Sequence, residues 1–175
     1  MRTLVTGFGP FGTVTDNPSQ RLAEGCGRPF QVLEVSYDAA DAFLKELSSE
    51  GFDNLLMLGV AQRREFPTPE LYARNSKGET PDVRGQSTSG PIEPGQPLLL
   101  ESTLWTAHLL ADLEVSLGLH TSLDAGNYLC NYVSYRALLR FPEKRVGFLH
   151  VPAFEQLAEE RQAEILAAVL QKIEA

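Results

Sequence analysis

The chain has 175 residues, a net charge of −8, a pI of about 4.9, and 43% hydrophobic against 22% charged residues. The balance is that of an ordinary globular protein. Its acidity argues against a nucleic-acid partner, and no apolar run approaches the roughly 18 residues of a membrane span. Two distant cysteines, Cys26 and Cys130, make neither a disulfide framework nor a close Cys/His cluster for zinc, so the expectation is free thiols, no metal and a reducing cytoplasm.

Arg2–Thr6 is a short β-favouring run that meets Gly7 and reads as a first strand, not as a signal peptide. Asn17-Pro18-Ser19 carries the signals of a helix start, with Asn17 as N-cap and Pro18 in the first turn, and the helix is expected to stop at Gly25 or Gly27. A second strand is predicted over 30–37 and a helix over 39–49, capped by Asp38. Residues 54–60, NLLMLGV, are continuously apolar, as in a central strand covered on both faces. Residues 61–101 break the rhythm with six prolines and several glycines, and only 70–75 reads as a strand. A long irregular stretch inside a compact domain is often functional. Beyond it the pattern predicts a helix over 102–116, a short strand over 119–122, a helix over 126–140, a strand over 145–151 and a final helix over 155–174. The alternation implies a single α/β domain spanning 1–175. Its architecture is a three-layer α/β/α sandwich on a largely parallel twisted sheet, with ligands expected at the carboxyl ends of the strands.

Two segments carry candidate chemistry. Gly7-Phe8-Gly9-Pro10-Phe11-Gly12 fits G-x-G-x-x-G after a strand, with Glu34 22 residues beyond Gly12, which at face value is a dinucleotide-binding pattern. Pro10 has no N–H to offer a phosphate, and Phe8 and Phe11 are bulky where the backbone should approach closely. Two rings beside a tight turn suit a flat, mostly apolar ligand, or simply pack. The second segment runs from Ser122 into a helix that brings Cys130 to its first or second turn, where unpaired N–H groups favour a thiolate. His150 closes the strand RVGFLHV at the same expected edge, and a Cys–His pair there is an arrangement for acyl transfer. A third group should orient the imidazole. By sequence position Glu70, Glu65 and Asp124 are all candidates.

Taken together, GFGPFGTVTDNPS, LGVAQRREFPTPELYARN, SLDAGNYLCNYVSY and GFLHVP occur in the order and at the spacing of four signature segments of the pyroglutamyl peptidase I family, and the chain resembles that family over most of its length. The resemblance implies a cysteine peptidase that removes N-terminal pyroglutamate from small peptides through a thioester. It implies a catalytic triad of Cys130, His150 and Glu70. It also implies a lactam pocket lined by Phe8 and Phe11 with Asn17 among its polar groups, the α/β/α fold, no metal, no cofactor and a homotetramer. One segment departs from the pattern. After Asn75 the family has a D-A-R-I-P-D-N-x-G type loop whose Arg is associated with the oxyanion. Here Ser76–Gly85 is one residue shorter between the Asn and the Pro, with Thr80 nearest the expected Arg. Arg64 and Arg84 are the candidates to replace it.

Overall fold

The computed structural model describes residues 1–175. In chain order the elements are β1 (Thr3–Phe8), α1 (Pro18–Gly25), β2 (Phe30–Leu33), α2 (Tyr37–Glu46), β3 (Asn54–Val60), β4 (Thr68–Glu70), β5 (Tyr72–Arg74), β6 (Leu99–Glu101), α3 (Ala107–Leu117), α4 (Leu129–Arg140), β7 (Arg145–Val151) and α5 (Glu159–Glu174). The main sheet has the order β2-β1-β3-β7-β4. All its pairings are parallel except β4 with β7. The α/β sandwich with a mostly parallel sheet therefore holds, with one antiparallel edge strand.

The central strands show why their sequences are continuously apolar. Alternate side chains point to opposite faces of a strand. On β3, Leu55 and Met57 join a core with α2 and α4, whereas Leu56 and Leu58 join a second core with α1, α3 and α5. On β7, Val146 and Phe148 face the first core and Leu149 and Val151 the second. Both faces are dry, so neither tolerates a polar residue without a partner. The same alternation puts Gly59 and His150 on the α4 side, and the register pairs them directly. Each fully buried leucine contributes on the order of 1.5–3 kcal/mol.

Several local expectations need correction. The second strand ends at Leu33, because Ser36 turns back onto the Glu34 carbonyl and caps α2, its hydroxyl accepting the Ala39 N–H at 3.2 Å. Asp38 sits in the first helical turn, where its charge favours the helix dipole. The 70–75 strand is split into β4 and β5, which belong to different sheets. The 119–122 strand is reduced to one bridge between Ser122 and Glu70. The helix expected from 102 starts at Ala107, capped by Thr106, and the last helix starts at Glu159. The helix expected from 126 starts at Leu129, because Asp124 accepts the Gly126 N–H in a tight turn and Gly126 takes a positive φ of 83°.

The irregular stretch is anchored by buried polar side chains. Asp82 accepts N–H groups from Tyr37, Arg84 and Gln86, and Asn75 bonds the Glu93 and Gln96 carbonyls and the Glu93 N–H. Asn131, fully buried on α4, clamps the Arg74 backbone through both its N–H and its carbonyl. These bonds hold the stretch against the helix that carries Cys130.

Candidate active site

The carboxyl ends of β1, β3 and β7 and the start of α4 enclose a cavity of about 550 Å³. Cys130, His150, Phe8, Phe11 and Asn17 all line it. Cys130 is the second residue of α4. The first backbone N–H of this segment to find a helical acceptor is that of Tyr132, on the Tyr128 carbonyl at 2.9 Å. The amides before it point out of the helix start without an intrahelical partner, and they favour negative charge there. No side chain caps this helix end.

The Cys130 thiol lies directly over Gly59. A Cβ built on Gly59 would stand 2.7 Å from Cys130 Sγ and 2.6 Å from Phe148 Cζ, closer than any side chain tolerates. Gly59 is thus the floor that admits the Cys130 sulfur, and its register partner on β7 is His150, which lines the same cavity. The Phe148 ring packs at 4.8 Å from the His150 ring and holds it in place.

Glu70 fixes the imidazole from behind. Its Oε1 lies 2.6 Å from His150 Nδ1, and both side chains are buried. The antiparallel pairing of β4 with β7 creates this contact, since Thr68 is opposite His150 and Glu70 opposite Phe148. Arg64 Nη1 lies 2.6 Å from the same oxygen. Arg64 also donates from Nη2 to Ser122 Oγ at 3.2 Å and to the Asp124 carbonyl at 3.5 Å. Burial works to raise the Glu70 carboxyl, but hydrogen bonding from His150 and Ser122, with a smaller share from the Arg64 charge, outweighs it and leaves the group below its ordinary value. An ionised Glu70 can only accept, which makes Nδ1 the donor of this bond.

Withdrawal from water, with the Glu70 charge added to it, pushes the Cys130 thiol up to about 12. Its own backbone N–H and Arg64 oppose that rise. A thiolate formed there would have the unpaired amides of the helix start beside it and would share the cavity with His150.

The glycine-rich loop has a different job from phosphate binding. The Phe8, Gly9 and Phe11 amides donate inside the protein, to Ser19 Oγ, the Leu33 carbonyl and the Val14 carbonyl. Gly7 is required because a Cβ there would meet the Ser19 carbonyl oxygen at 2.2 Å, so it lets α1 pack onto β1. The loop presents two aromatic rings to the cavity. Asn17 ties it down: its Nδ2 donates to the Gly9 carbonyl at 2.9 Å, and its Oδ1 accepts from the Ser19 N–H and hydroxyl.

A model of the family described as pyroglutamyl peptidase matches residues 1–173. The chain belongs to the pyroglutamyl peptidase family. It is 37% identical over 168 residues to the pyrrolidone-carboxylate peptidase of Deinococcus radiodurans, covering 86% of this chain and 77% of that protein. It is 30% identical over 176 residues to that of Levilactobacillus brevis, covering 92% and 86%. Among solved structures, the pyrrolidone carboxyl peptidase of Thermus thermophilus superposes with a TM-score of 0.82 at 38% identity, covering 97% of each chain. A mutant form of the Pyrococcus furiosus enzyme superposes at 0.87 and 30% identity, covering 98% and 97%. As a pyroglutamyl peptidase the chain is a cysteine peptidase directed at N-terminal pyroglutamyl groups.

Within this pyroglutamyl peptidase the structure separates alternatives that the sequence left open. Glu70 contacts His150, whereas Asp124 pairs with Arg74 at 3.2 Å and Glu65 is exposed. Arg84 pairs with Glu34 and Asp38, and no residue of 76–85 lines the cavity. Arg64 does line it, though its guanidinium is engaged by Glu70, Ser122 and Asp124. The departing loop instead supports the wall from outside, through Gly78 N–H on the Asn127 carbonyl and Tyr128 Oη on the Pro81 carbonyl. Gly59 and Arg63 were not singled out by sequence reasoning. A glycine inside a continuous apolar strand is the one signal that points to Gly59.

Proposed function

We propose that Cys130, His150 and Glu70 are the catalytic triad of a thiol exopeptidase that cleaves the bond after an N-terminal pyroglutamyl residue. The observation that carries this reading is the 2.6 Å contact of Glu70 with His150 Nδ1, behind a cavity that both Cys130 and His150 line. Cys130 Sγ gives its proton to His150 and attacks the pyroglutamyl carbonyl carbon. The tetrahedral oxyanion faces the backbone N–H of Cys130 at the start of α4. His150 returns the proton to the leaving nitrogen, the C–N bond breaks, and a thioester remains. Water, deprotonated by His150, then attacks the thioester and releases pyroglutamate, and the sulfur recovers its proton from the imidazolium. Glu70 keeps the ring in the productive tautomer and stabilises its charged form throughout.

Selectivity follows from the wall. Phe8 and Phe11 offer flat apolar surface to a lactam that has no charge. An N-terminal glutamine or glutamate carries a charged α-ammonium and would lose hydration there without compensation. Asn17 serves by fixing the loop that holds the two rings. The reading extends to residues 1–175 as one domain without metal or cofactor, in a cytoplasmic homotetramer acting on small peptides. The unpaired cysteines support a reducing setting, and the family resemblance supports the tetramer. No helix is long and apolar enough to cross a membrane.

The test is release of a fluorescent amine from pyroglutamyl, prolyl and glutaminyl amides by the reduced enzyme. The expected result is turnover of the pyroglutamyl amide with at least about a hundredfold preference over the other two. Equal turnover of the prolyl amide would remove the lactam assignment.

A further inference from the structure

Charge is distributed unevenly around the cavity. The chain carries a net charge of −8, yet no aspartate or glutamate lines this cavity, while Arg63, Arg64 and His150 do. The neighbouring cleft that shares Val60 and Gln62 with it is lined instead by Asp16 and Glu155. Arg64 is neutralised by Glu70. Arg63 is not matched by anything. It is the only arginine of the chain without an ion pair, hydrogen bond or cation–π contact, since every other one meets a carboxylate or a backbone carbonyl. It is exposed, on the loop that follows β3.

An uncompensated guanidinium on the wall of a reactive cavity has a use only if the substrate brings the opposite charge. The pyroglutamyl ring is neutral, so the charge must lie downstream, on the residue that leaves. Arg63 is exposed among the residues that line the cavity, open to the part of a substrate that extends beyond the ring. Its planar fork suits a carboxylate in particular. We propose that Arg63 is a specificity determinant that binds a carboxylate on the residue following pyroglutamate, either the α-carboxylate of a dipeptide or the side chain of an acidic second residue. This rests on the peptidase reading above and deepens it.

The experiment compares kcat/KM within matched pairs, so that any general effect of a substitution cancels. Pyroglutamyl-alanine against pyroglutamyl-alaninamide reads the α-carboxylate, and pyroglutamyl-glutamate amide against pyroglutamyl-glutamine amide reads the side chain. Wild type is expected to favour the charged member of at least one pair by about fivefold, the upper range for a solvent-exposed ion pair. That ratio should fall towards one as ionic strength rises to about 1 M. It should be lost in Arg63→Ala, partly kept in Arg63→Lys and reversed in Arg63→Glu. Whichever pair responds identifies the source of the carboxylate. Ratios near one in both pairs for wild type, or a preference that survives Arg63→Ala, overturn the inference while the peptidase reading stands. Wild type that cleaves none of the four substrates overturns both.

Discussion

The two cysteines occupy opposite kinds of helix end. Cys26 is the C-cap of α1, at the amino edge of the sheet, and its thiol reaches only the Arg28 carbonyl at 3.8 Å. Cys130 is in the first turn of α4, at the carboxyl edge, over Gly59 and in one cavity with His150. Burial raises both thiols, so burial does not distinguish them. What separates them is what surrounds the charge once it forms. A thiolate at Cys26 would face the negative end of a helix, and the nearby Arg28 is already held by Glu174 at 2.8 Å. A thiolate at Cys130 would meet free amides at a helix start, in one cavity with a His150 held by a buried carboxylate.

The comparison is broken most sharply by removing each sulfur in turn. Cys130→Ala should lower kcat/KM on a pyroglutamyl amide by about 10⁴-fold or more, whereas Cys26→Ala should stay within about twofold of wild type. Glu70→Gln comes next, with a loss of about 10³–10⁴ in kcat while the circular dichroism spectrum stays native, because the ring loses its tautomer and its counter-charge. Gly59→Ala should cost about 10–100-fold in rate, through a Cβ that displaces Sγ and Phe148, together with about 1–3 kcal/mol of stability measured by urea unfolding.

The pH response of stability isolates Glu70 from the rest. Its carboxyl is held below the ordinary value in the folded protein. The stability it contributes is therefore present above the ordinary carboxylate value of about 4.3 and is lost as the pH falls through its lower folded value. Thermal melts between pH 7 and pH 3 should show a steeper loss for wild type than for Glu70→Gln, and parallel curves would contradict the coupling to His150 and Arg64. The smallest effect belongs to Asn17→Ala. Removing the cap should cost about 1 kcal/mol. Loosening the loop under Phe8 and Phe11 should raise KM more than it lowers kcat in steady-state kinetics.

The strands, and the placing of Cys130 and His150 at one edge of the sheet, were legible because their signals are local. NLLMLGV and RVGFLHV announce buried parallel strands, and Asn17-Pro18-Ser19 announces a helix start that the structure keeps. Glu70 was not legible from the chain alone, since its contact with His150 depends on a three-residue antiparallel strand that follows Pro67 and contains Pro69, and on the register of its pairing with β7. Asp124 misled the placement of α4, because an aspartate that closes its own turn has the same sequence as a helix cap. The choice between Arg64 and Arg84 likewise depends on tertiary contacts: Arg84 is drawn to Glu34 and Asp38 on the surface, and Arg64 to the buried Glu70. The unmatched Arg63 is visible only once every other arginine has been given its partner.

The measurement that reaches the central claim most directly is affinity labelling with a pyroglutamyl chloromethyl ketone, followed by peptide mapping. The account predicts one label per chain, on Cys130, formed in step with loss of activity and blocked by a pyroglutamyl amide, with Cys26 unmodified. Label on Cys26, label on neither cysteine, or equal labelling by the prolyl reagent would contradict it.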